Sequence, residues 1–549
     1  MVDENNLRLI WSNVAQFLNQ NDLTSLARTS KFFAYEICDP QLYQNIVISR
    51  DPVLRSDKTF LDTNNSYISG YRSLKKTGDQ NDLFLHDRIH RLVNSSQLGL
   101  VKTLIIQEDN FVYQEDGQPI LKELIEQLIE LGQIETLEIR DKDLFEHYYQ
   151  SLKELPKLKR FVATKIEDLN SLRCLKNLKS LELLLNAPDF EHGCLSEEVK
   201  LALTHNIEEL VIDDMEFSSL RLFQYFESEK IKLNAVQALK FNHVHGIHDY
   251  NKTMRELTTV FFKNVFKLEN IVKLEMELSC EESGCSCIDD FLLDLAPKVT
   301  SLRDLGLIEK TFITQGNHYT EENWDLAINR FILNLPNVSE QLRTLAIRHN
   351  PPLNGLTEDS VEGNYIRRRT IYENVLPKLC NLQTLIAPSF LQSVAAYEIL
   401  VCDLLWNGCE CSFCEKVLDV FDKFIMNHQY YSFAEGEFKD IIPTVFFAYC
   451  GDAIARRFIT EIDWDLKALS TCPVTHVWDL HGYEYVQHFE DYDCHYDQSA
   501  FVHLVKCVSH FFNSYMDCLV KFLPSLKFCI ISGVYYTIDD KGNYECIYD

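Results

Sequence analysis

The feature that most constrains the fold is a short apolar phrase that recurs from residue 101 onward. In each copy an apolar residue is followed by two others, then by an apolar residue, one other and a third apolar residue. The copies begin at Val101, Ile134, Leu158, Leu178, Ile207, Val236, Ile271, Leu302, Leu342, Leu382 and Leu526. Helix-like runs, such as residues 119–132 and 321–336, lie between copies. A strand followed by a covering helix, repeated many times, predicts a stack of units that share one parallel sheet.

This phrase, L-x-x-L-x-L, resembles the strand half of a leucine-rich repeat, although the usual asparagine of that repeat is mostly absent. The resemblance implies an α/β fold in which residues 98–392 form a right-handed solenoid with a parallel sheet on its concave side. The alternative is a mixed α/β domain in which a short Leu-rich phrase recurs by coincidence. The near-successive recurrence favours the solenoid. Residues 393–549 are rich in Cys and aromatic residues, and we interpret them as enlarged terminal repeats or a cap.

Residues 7–48 carry a different, helical pattern. Leu7, Ile10, Val14 and Phe17 fall at three- and four-residue spacings, which predicts one apolar helix face. Asp22 is a suitable N-cap for a second helix starting at the next residue. Three short helices cannot bury a self-sufficient core, because domains of that size are marginal without a partner. Their leftover apolar surface therefore predicts an interface.

The same stretch resembles the F-box. The resemblance rests on Phe17-Leu18, Asp22-Leu23, Ser30-Lys31, Asp39-Pro40 and Leu42-Tyr43, while the Leu-Pro pair that usually opens the motif falls on Asn6-Leu7 and lacks its proline. An F-box implies a Skp-type adaptor as partner, and a cullin scaffold through that adaptor. By this resemblance the adaptor contact is carried by Leu7, Ile10, Val14, Phe17, Leu18, Leu23, Leu26, Pro40 and Leu42. The alternative is an ordinary helical cap on the domain that follows, as solenoids require.

Together these features predict an F-box at residues 1–50, a connector at 51–97 and the repeats behind it, resembling fungal F-box proteins with degenerate repeats. The implied function is that of a substrate receptor in a cullin-RING (SCF) ubiquitin ligase, with the solenoid holding a protein target. Some fungal F-box proteins that this chain resembles instead act outside the ligase and sequester a partner, such as a Rab-family GTPase of endosomal trafficking. A leucine-rich scaffold without an adaptor is the third hypothesis.

Composition and motifs exclude several other classes of function. The net charge of −29 argues against nucleic acid, because phosphate binding needs clustered Lys and Arg. Apolar runs are too short to cross a bilayer, and the acidic start, MVDENNLRL, is typical of neither a signal nor a transit peptide. Neither a nucleophile elbow nor a phosphate loop is present in the sequence. We therefore expect a non-enzymatic protein of the cytoplasm, with the nucleus as an additional location.

Two cysteine clusters have spacings typical of metal ligands. Cys280, Cys285 and Cys287 follow one predicted strand, and Cys409, Cys411 and Cys414 precede a predicted helix; these are the candidate ligands of a structural zinc ion. Tetrahedral zinc takes four ligands and each cluster offers three, so Cys402 or His428 is a candidate to complete the second site. The alternative is that these residues are reduced structural cysteines in loops. No other cofactor is expected.

Overall fold

The computed structural model describes residues 4–18, 20–49, 65–69, 79–106, 118–184, 194–213, 219–242, 262–278, 286–309, 312–314, 317–319, 324–348, 370–386, 411–415, 510, 513, 515–531 and 534–546. The chain divides into two compact units. Unit 1 comprises Met1–Glu182 with Gly193–Ala202, and unit 2 comprises Leu183–His192 with Leu203–Asp549. Each unit is described separately below.

Unit 1 begins with a group of short helices. They are α1 (Glu4–Ala15), α2 (Gln20–Ala27), a π-helix (Phe33–Cys38) and α3 (Asp39–Leu42). Their small core consists of Ala15, Leu23, Ile37 and Cys38, surrounded by Trp11, Leu18, Leu26, Ala27, Phe32, Phe33 and Leu42. The rings of Trp11 and Phe33 meet edge to face at 4.9 Å, an arrangement that adds to the stabilisation from apolar burial.

The predicted start of the second helix is wrong by a few residues. Because α2 begins at Gln20, Asp22 lies in its first turn and is not its N-cap. The carboxylate still lies near the positive end of the helix dipole, where a negative charge is favourable. Sequence alone identified the helix but not its first residue.

Behind the helices, unit 1 forms a parallel sheet. Its strands are β1 (Asn45–Ser49), β2 (Ser66–Ser69), β3 (Thr103–Ile106) and β4 (Thr136–Ile139), in the order β2-β1-β3-β4. Next in the chain come β5 (Arg160–Ala163) and β6 (Ser180–Leu184), which are neighbours in a second sheet. The helices that accompany these strands are α4 (Asp79–Val93), α5 (Gln118–Leu131), α6 (Lys142–Lys153) and α7 (Glu197–His205).

Unit 2 continues with a longer parallel series. Its strands are β7 (Glu209–Asp213), β8 (Ala238–Asn242), β9 (Lys273–Leu278), β10 (Asp304–Glu309), β13 (Thr344–Arg348), β14 (Thr384–Ile386) and β15 (Phe528–Ile531), hydrogen-bonded in that order. Two antiparallel strands, β16 (Val534–Ile538) and β17 (Tyr544–Cys546), close the edge. A separate hairpin contains β11 (Phe312–Thr314) and β12 (Asn317–Tyr319). The helices are α8 (Ser219–Ser228), α9 (Cys287–Leu295), α10 (Trp324–Asn334) and α11 (Val338–Gln341).

The recurring phrase accounts for the register of these sheets. Its middle apolar position pairs with the same position of the next strand, so that Leu210, Leu239, Leu274, Leu305, Leu345 and Leu385 form one row across unit 2. All six side chains are buried, as is the first apolar residue of every copy of the phrase. Strands therefore form at every predicted copy. The architecture is mixed α/β with a long parallel strand series, which is compatible with a solenoid.

The burial of the residues between the phrase positions differs between the two units. In β3, β4 and β5 of unit 1, buried phrase residues alternate with half-buried ones. In unit 2 the residues between phrase positions are buried as well, including Lys240, Glu275, Ala346 and Ile386. Burial on both faces is usual for parallel sheets. Those positions in unit 2 are therefore not open to a target, although the sequence interpretation placed the target on this face.

The helices predicted between the phrases can be compared where the structure describes them. The helix predicted at residues 119–132 is α5, which ends at Leu131. The next residue, Gly132, has a φ of 59°, a left-handed conformation that favours glycine. Residues 321–336 contain α10. The runs 416–426, 442–459 and 473–480 lie outside the described residues. Residues 51–97, interpreted as a connector, include β2 and α4.

Among the described residues, every helix is too short or too polar to cross a lipid bilayer.

A buried ion pair on unit 2 gives a test of this core. Lys240 and Glu275 are register partners on β8 and β9, their charged groups are 3.0 Å apart, and both side chains are buried. Replacing Lys240→Met leaves a buried carboxylate without its cation, and we expect a cost of up to about 3–5 kcal/mol. Hydrogen–deuterium exchange of the β8 and β9 amides should accelerate. The double variant Lys240→Met, Glu275→Leu should restore most of the protection, and equal exchange in both variants would contradict this account.

Candidate functional site

The N-terminal helices carry an exposed apolar surface. Leu7, Ile10 and Val14 of α1, with Phe17 just beyond its end, are all exposed, and Phe17 reaches 80% of its full accessible area. Helical spacing places Leu7, Ile10 and Val14 beside the stripe of α1 that packs into the core. We call these four residues the α1 apolar face. Exposed large apolar side chains clustered on so small a helical group mark an interaction surface.

The other predicted adaptor residues have a different environment. Leu23 is 3% exposed and belongs to the core of the helical group. Leu18, Leu26 and Leu42 are half-buried and pack against that core, and Pro40 is half-buried at the start of α3. Their first role in this structure is therefore to hold the helices together. The assignment of the adaptor contact to all nine residues stays a prediction.

Two other exposed residues of the helical group were missed from the sequence. Leu9 and Tyr35 each expose about three-fifths of their side chain, as the values of 62% and 61% show. Tyr35 lies in the π-helix, beside Glu36, whose carboxylate is 3.1 Å from the Arg8 guanidinium of α1. In the sequence Tyr35 lies between Ala34 and Glu36, a context that gives no indication of exposure.

Hydrogen bonds fix the helical group to the sheet of unit 1. The side-chain amide of Gln20 donates to the Tyr67 carbonyl at 3.2 Å and accepts from the Tyr67 N–H at 3.0 Å. Tyr67 belongs to β2, the edge strand of that sheet, so Gln20 pairs with backbone groups of the exposed edge. Gln97 donates a second side-chain bond, 2.7 Å long, to the carboxylate of Asp39 in α3. The α1 apolar face is thereby held on a fixed support.

Electrostatics in this group favour neutral side chains in its interior. Burial raises the pKa of the Cys38 thiol, and the neighbouring Asp39 carboxylate raises that pKa further. Burial and Asp39 raise the pKa of Tyr43 in the same way. Both groups therefore stay protonated at neutral pH. Cys38 behaves as a small apolar residue of the core, not as a reactive thiolate.

The predicted zinc ligands are described only in part. Cys280, Cys285 and Cys409 lie outside the described residues, as do Cys402 and His428. Cys287 begins α9, and the structure gives its backbone only. Cys411 and Cys414 are both described: Cys411 immediately precedes a turn of helix at residues 412–415, and Cys414 lies within it. The first cluster therefore stays a prediction.

The structure brings a histidine to Cys411 and Cys414. His510 Nδ1 is 3.6 Å from Cys411 Sγ and 3.1 Å from Cys414 Sγ, and the three ligand atoms all lie within 4.8 Å of one another. The Cys414 N–H donates to Cys411 Sγ at 3.5 Å. We call these three residues the Cys-Cys-His cluster. His510 was missed because it is 96 residues from Cys414, although Cys507-Val508-Ser509-His510 repeats the three-residue spacing and would have signalled it.

Comparison with known proteins identifies the family. No protein-family model matches the sequence. The chain is 46% identical, over 544 residues that cover 98% of both chains, to the non-SCF-type F-box protein ROY1 of Saccharomyces cerevisiae. The chain therefore belongs to the F-box proteins, and within them to the fungal family of that relative. The predicted F-box resemblance is confirmed by this relationship.

The Gln20 contact yields a prediction for the support of the α1 apolar face. Gln20→Ala removes both hydrogen bonds to Tyr67, and we expect a loss of about 1–3 kcal/mol of local stability because edge backbone groups lose their partner. Hydrogen–deuterium exchange of the β2 amides should therefore rise about fivefold or more. Gln127→Ala, which removes an exposed 3.3 Å contact with Glu123 on α5, is the matched control and should leave β2 unchanged. Unchanged β2 exchange in Gln20→Ala would refute this role.

Proposed function

We propose that this chain is a non-enzymatic F-box protein that acts outside the SCF ubiquitin ligase. In this proposal the α1 apolar face binds a Skp-type adaptor, and the strands are those of a degenerate leucine-rich-repeat solenoid that holds a protein partner on its unit 1 repeats. The observation that carries the proposal is near full-length similarity to a protein named a non-SCF-type F-box protein. The exposed apolar side chains of α1 supply the physical surface that such a protein needs.

The substrate-receptor hypothesis is not supported. A receptor in an SCF ligase joins adaptor and cullin in one complex, whereas the name of the relative places that protein outside this class. The sequestration hypothesis, which the sequence left as an alternative, fits the comparison better. A sequestering protein needs only to hold its partner away from other proteins, and it does not need to present that partner to a conjugating enzyme.

Adaptor binding is supported by the chemistry of the α1 apolar face. Burying an exposed Leu, Ile, Val or Phe side chain contributes about 1.5–3 kcal/mol. Exposure of 57% at Ile10 and 80% at Phe17 leaves most of that free energy available to a partner. Both residues project from a helical group that Gln20 ties to Tyr67 of β2 and Asp39 ties to Gln97, so little ordering entropy is lost on binding.

The second partner is a protein, and the resemblance implies a Rab-family small GTPase. For this partner we propose the surface of unit 1 that carries Glu138, Arg160 and Glu182. On this surface Arg160 lies 2.9 Å from Glu182 and 3.6 Å from Glu138, and all three side chains are about one-fifth exposed. A half-buried charge network of this kind confers specificity more than affinity. With a net charge of −29, the chain is suited to a partner that offers a basic patch.

The adaptor surface can be tested with two substitutions. Ile10→Asp combined with Phe17→Asp places two charges in the proposed contact, and we expect adaptor affinity to fall by about 100-fold or more, because each change removes about 1.5–3 kcal/mol. Calorimetry or a quantitative pull-down with a purified Skp-type adaptor measures this loss. Both residues are exposed in this structure, so the variant should fold.

The matched control is Leu201→Asp, an exposed leucine on α7. It should bind the adaptor as the unaltered chain does, which excludes a general effect of added charge. The protein target should still bind the Ile10→Asp, Phe17→Asp variant. Full adaptor affinity in that variant would remove the assignment of this surface.

Cullin recruitment separates the two F-box hypotheses. We expect the full chain, purified from fungal cells, to carry the Skp-type adaptor without the cullin. An F-box protein of an established SCF ligase, purified in parallel, should carry both. Cullin recovered in proportion to the adaptor would restore the substrate-receptor hypothesis, and the protein partners in the same eluate would show whether a small GTPase is among them.

A further inference from the structure

We propose that the Cys-Cys-His cluster of unit 2 binds a structural zinc ion. Two of its ligands, Cys411 and Cys414, come from one turn of chain, and the third, His510, comes from a segment far along the sequence. The ion would fasten these two segments together. This site is independent of the adaptor surface and of the proposed partner.

The distances fit zinc. With Zn–S bonds of about 2.3 Å and Zn–N bonds of about 2.0–2.1 Å, tetrahedral angles place sulfur and nitrogen ligands roughly 3.6 Å apart. The separation of Cys411 Sγ and His510 Nδ1 is 3.6 Å, and that of Cys414 Sγ and His510 Nδ1 is 3.1 Å. The same ring nitrogen therefore faces both thiols. A shift of a few tenths of an ångström in Cys414 would open the cluster to the geometry of a bound ion.

The spacing of the ligands also fits zinc. Cys411-x-x-Cys414 is a chelating pair, and the Cys414 N–H donates to Cys411 Sγ, a bond that stabilises negative charge on sulfur. The stretch Cys507-x-x-His510 repeats this spacing at the other segment, and Cys507 lies outside the described residues. Paired C-x-x-C and C-x-x-H spacings are typical of structural zinc sites with Cys and His ligands. Tetrahedral coordination takes four ligands, and the described residues supply three.

Burial favours a structural role over a catalytic one. Cys414 is 1% exposed, and Cys411 and His510 are half-buried. The Phe413 ring lies 6.1 Å from the His510 ring. Partial burial of the ligands suits a structural ion, whereas catalytic zinc keeps one position open to substrate.

The location in the fold gives the ion a specific task. β14 and β15 are adjacent parallel strands, although the first ends at residue 386 and the second begins at residue 528. Cys411 and Cys414 follow β14 along the chain, and His510 precedes β15. A metal ion held by these residues would link positions 96 residues apart within this insertion. Because the site does not exist in the unfolded chain, the free energy of metal binding would add to that of folding and favour the pairing of the two strands.

A redox dithiol is the competing interpretation of a C-x-x-C pair. The position of His510 Nδ1 near both sulfur atoms is what a shared metal ion requires, whereas a disulfide needs only the two sulfur atoms. We therefore infer metal binding. In the test below, a Cys411–Cys414 disulfide is an outcome that overturns the proposal.

Metal content gives the first test. The full chain, expressed with zinc in the medium and purified without chelators, should contain about one zinc ion per chain by mass spectrometry. His510→Gln and Cys414→Ser should each lower this content by about one ion per chain. Cys380→Ser and Cys518→Ser, at exposed cysteines outside the cluster, are the matched controls and should retain the metal.

A rescue variant excludes misfolding as the cause of metal loss. Because thiolate is also a zinc ligand, His510→Cys should recover most of the zinc that His510→Gln loses. Cobalt substituted into the unaltered chain should show charge-transfer absorption from thiolate ligands, and this absorption should disappear in Cys414→Ser. Zinc content below about one-tenth of an equivalent in the unaltered chain, equal content in the cluster variants, or a Cys411–Cys414 disulfide would overturn the proposal.

A structural readout follows from the position of the site. Removal of the ion by a chelator should accelerate hydrogen–deuterium exchange in β14 and β15, while β9 and β10 should keep their protection. Chelation that leaves β14 and β15 unchanged would refute the role assigned to the ion in favouring the pairing of these strands.

Discussion

The structure depends on one constraint, which is that the apolar positions of successive strands stay in register. A single strand of four to six residues with its helix cannot bury its own Leu and Ile side chains. Stacking in register places Leu274 between Leu239 and Leu305, so each repeat completes the core of its neighbours. A slip of one residue would turn every one of these side chains to the opposite face. The phrase is therefore both the sequence signal and the physical cause of the fold.

The N-terminal helices depend on the sheet of unit 1 for support. Their core contains only a few fully buried residues, so they need external support. Gln20 supplies it by pairing with Tyr67 on the edge strand, and β1 begins at Asn45, directly after α3. The Gln20 contact thus gives hydrogen-bond partners to the Tyr67 backbone groups on the sheet edge and also holds the helices in place. The α1 apolar face can then remain exposed for a partner, because the helical group is stabilised by other contacts.

Much of this could be predicted from sequence because its causes are local. Each strand is specified by the six residues of its own copy of the phrase, and Gly132 marks the end of α5 at the predicted place. The features that could not be predicted depend on contacts between residues that are distant in the sequence. Helical spacing cannot tell that Leu23 faces the core while Phe17 is exposed. Likewise, no strand pattern shows that Glu275, between two phrase positions, is buried against Lys240 on the next strand.

The Cys-Cys-His cluster illustrates the limit most clearly. A C-x-x-C spacing gives the ligand type but not the third ligand, because His510 is 96 residues from Cys414 in the sequence and is brought close only by the fold. The dependence also runs the other way. Pairing two strands across a long insertion costs loop-closure entropy, which metal binding at the proposed site would offset. The proposed zinc ion would therefore help the strand series to resume after its interruption between β14 and β15.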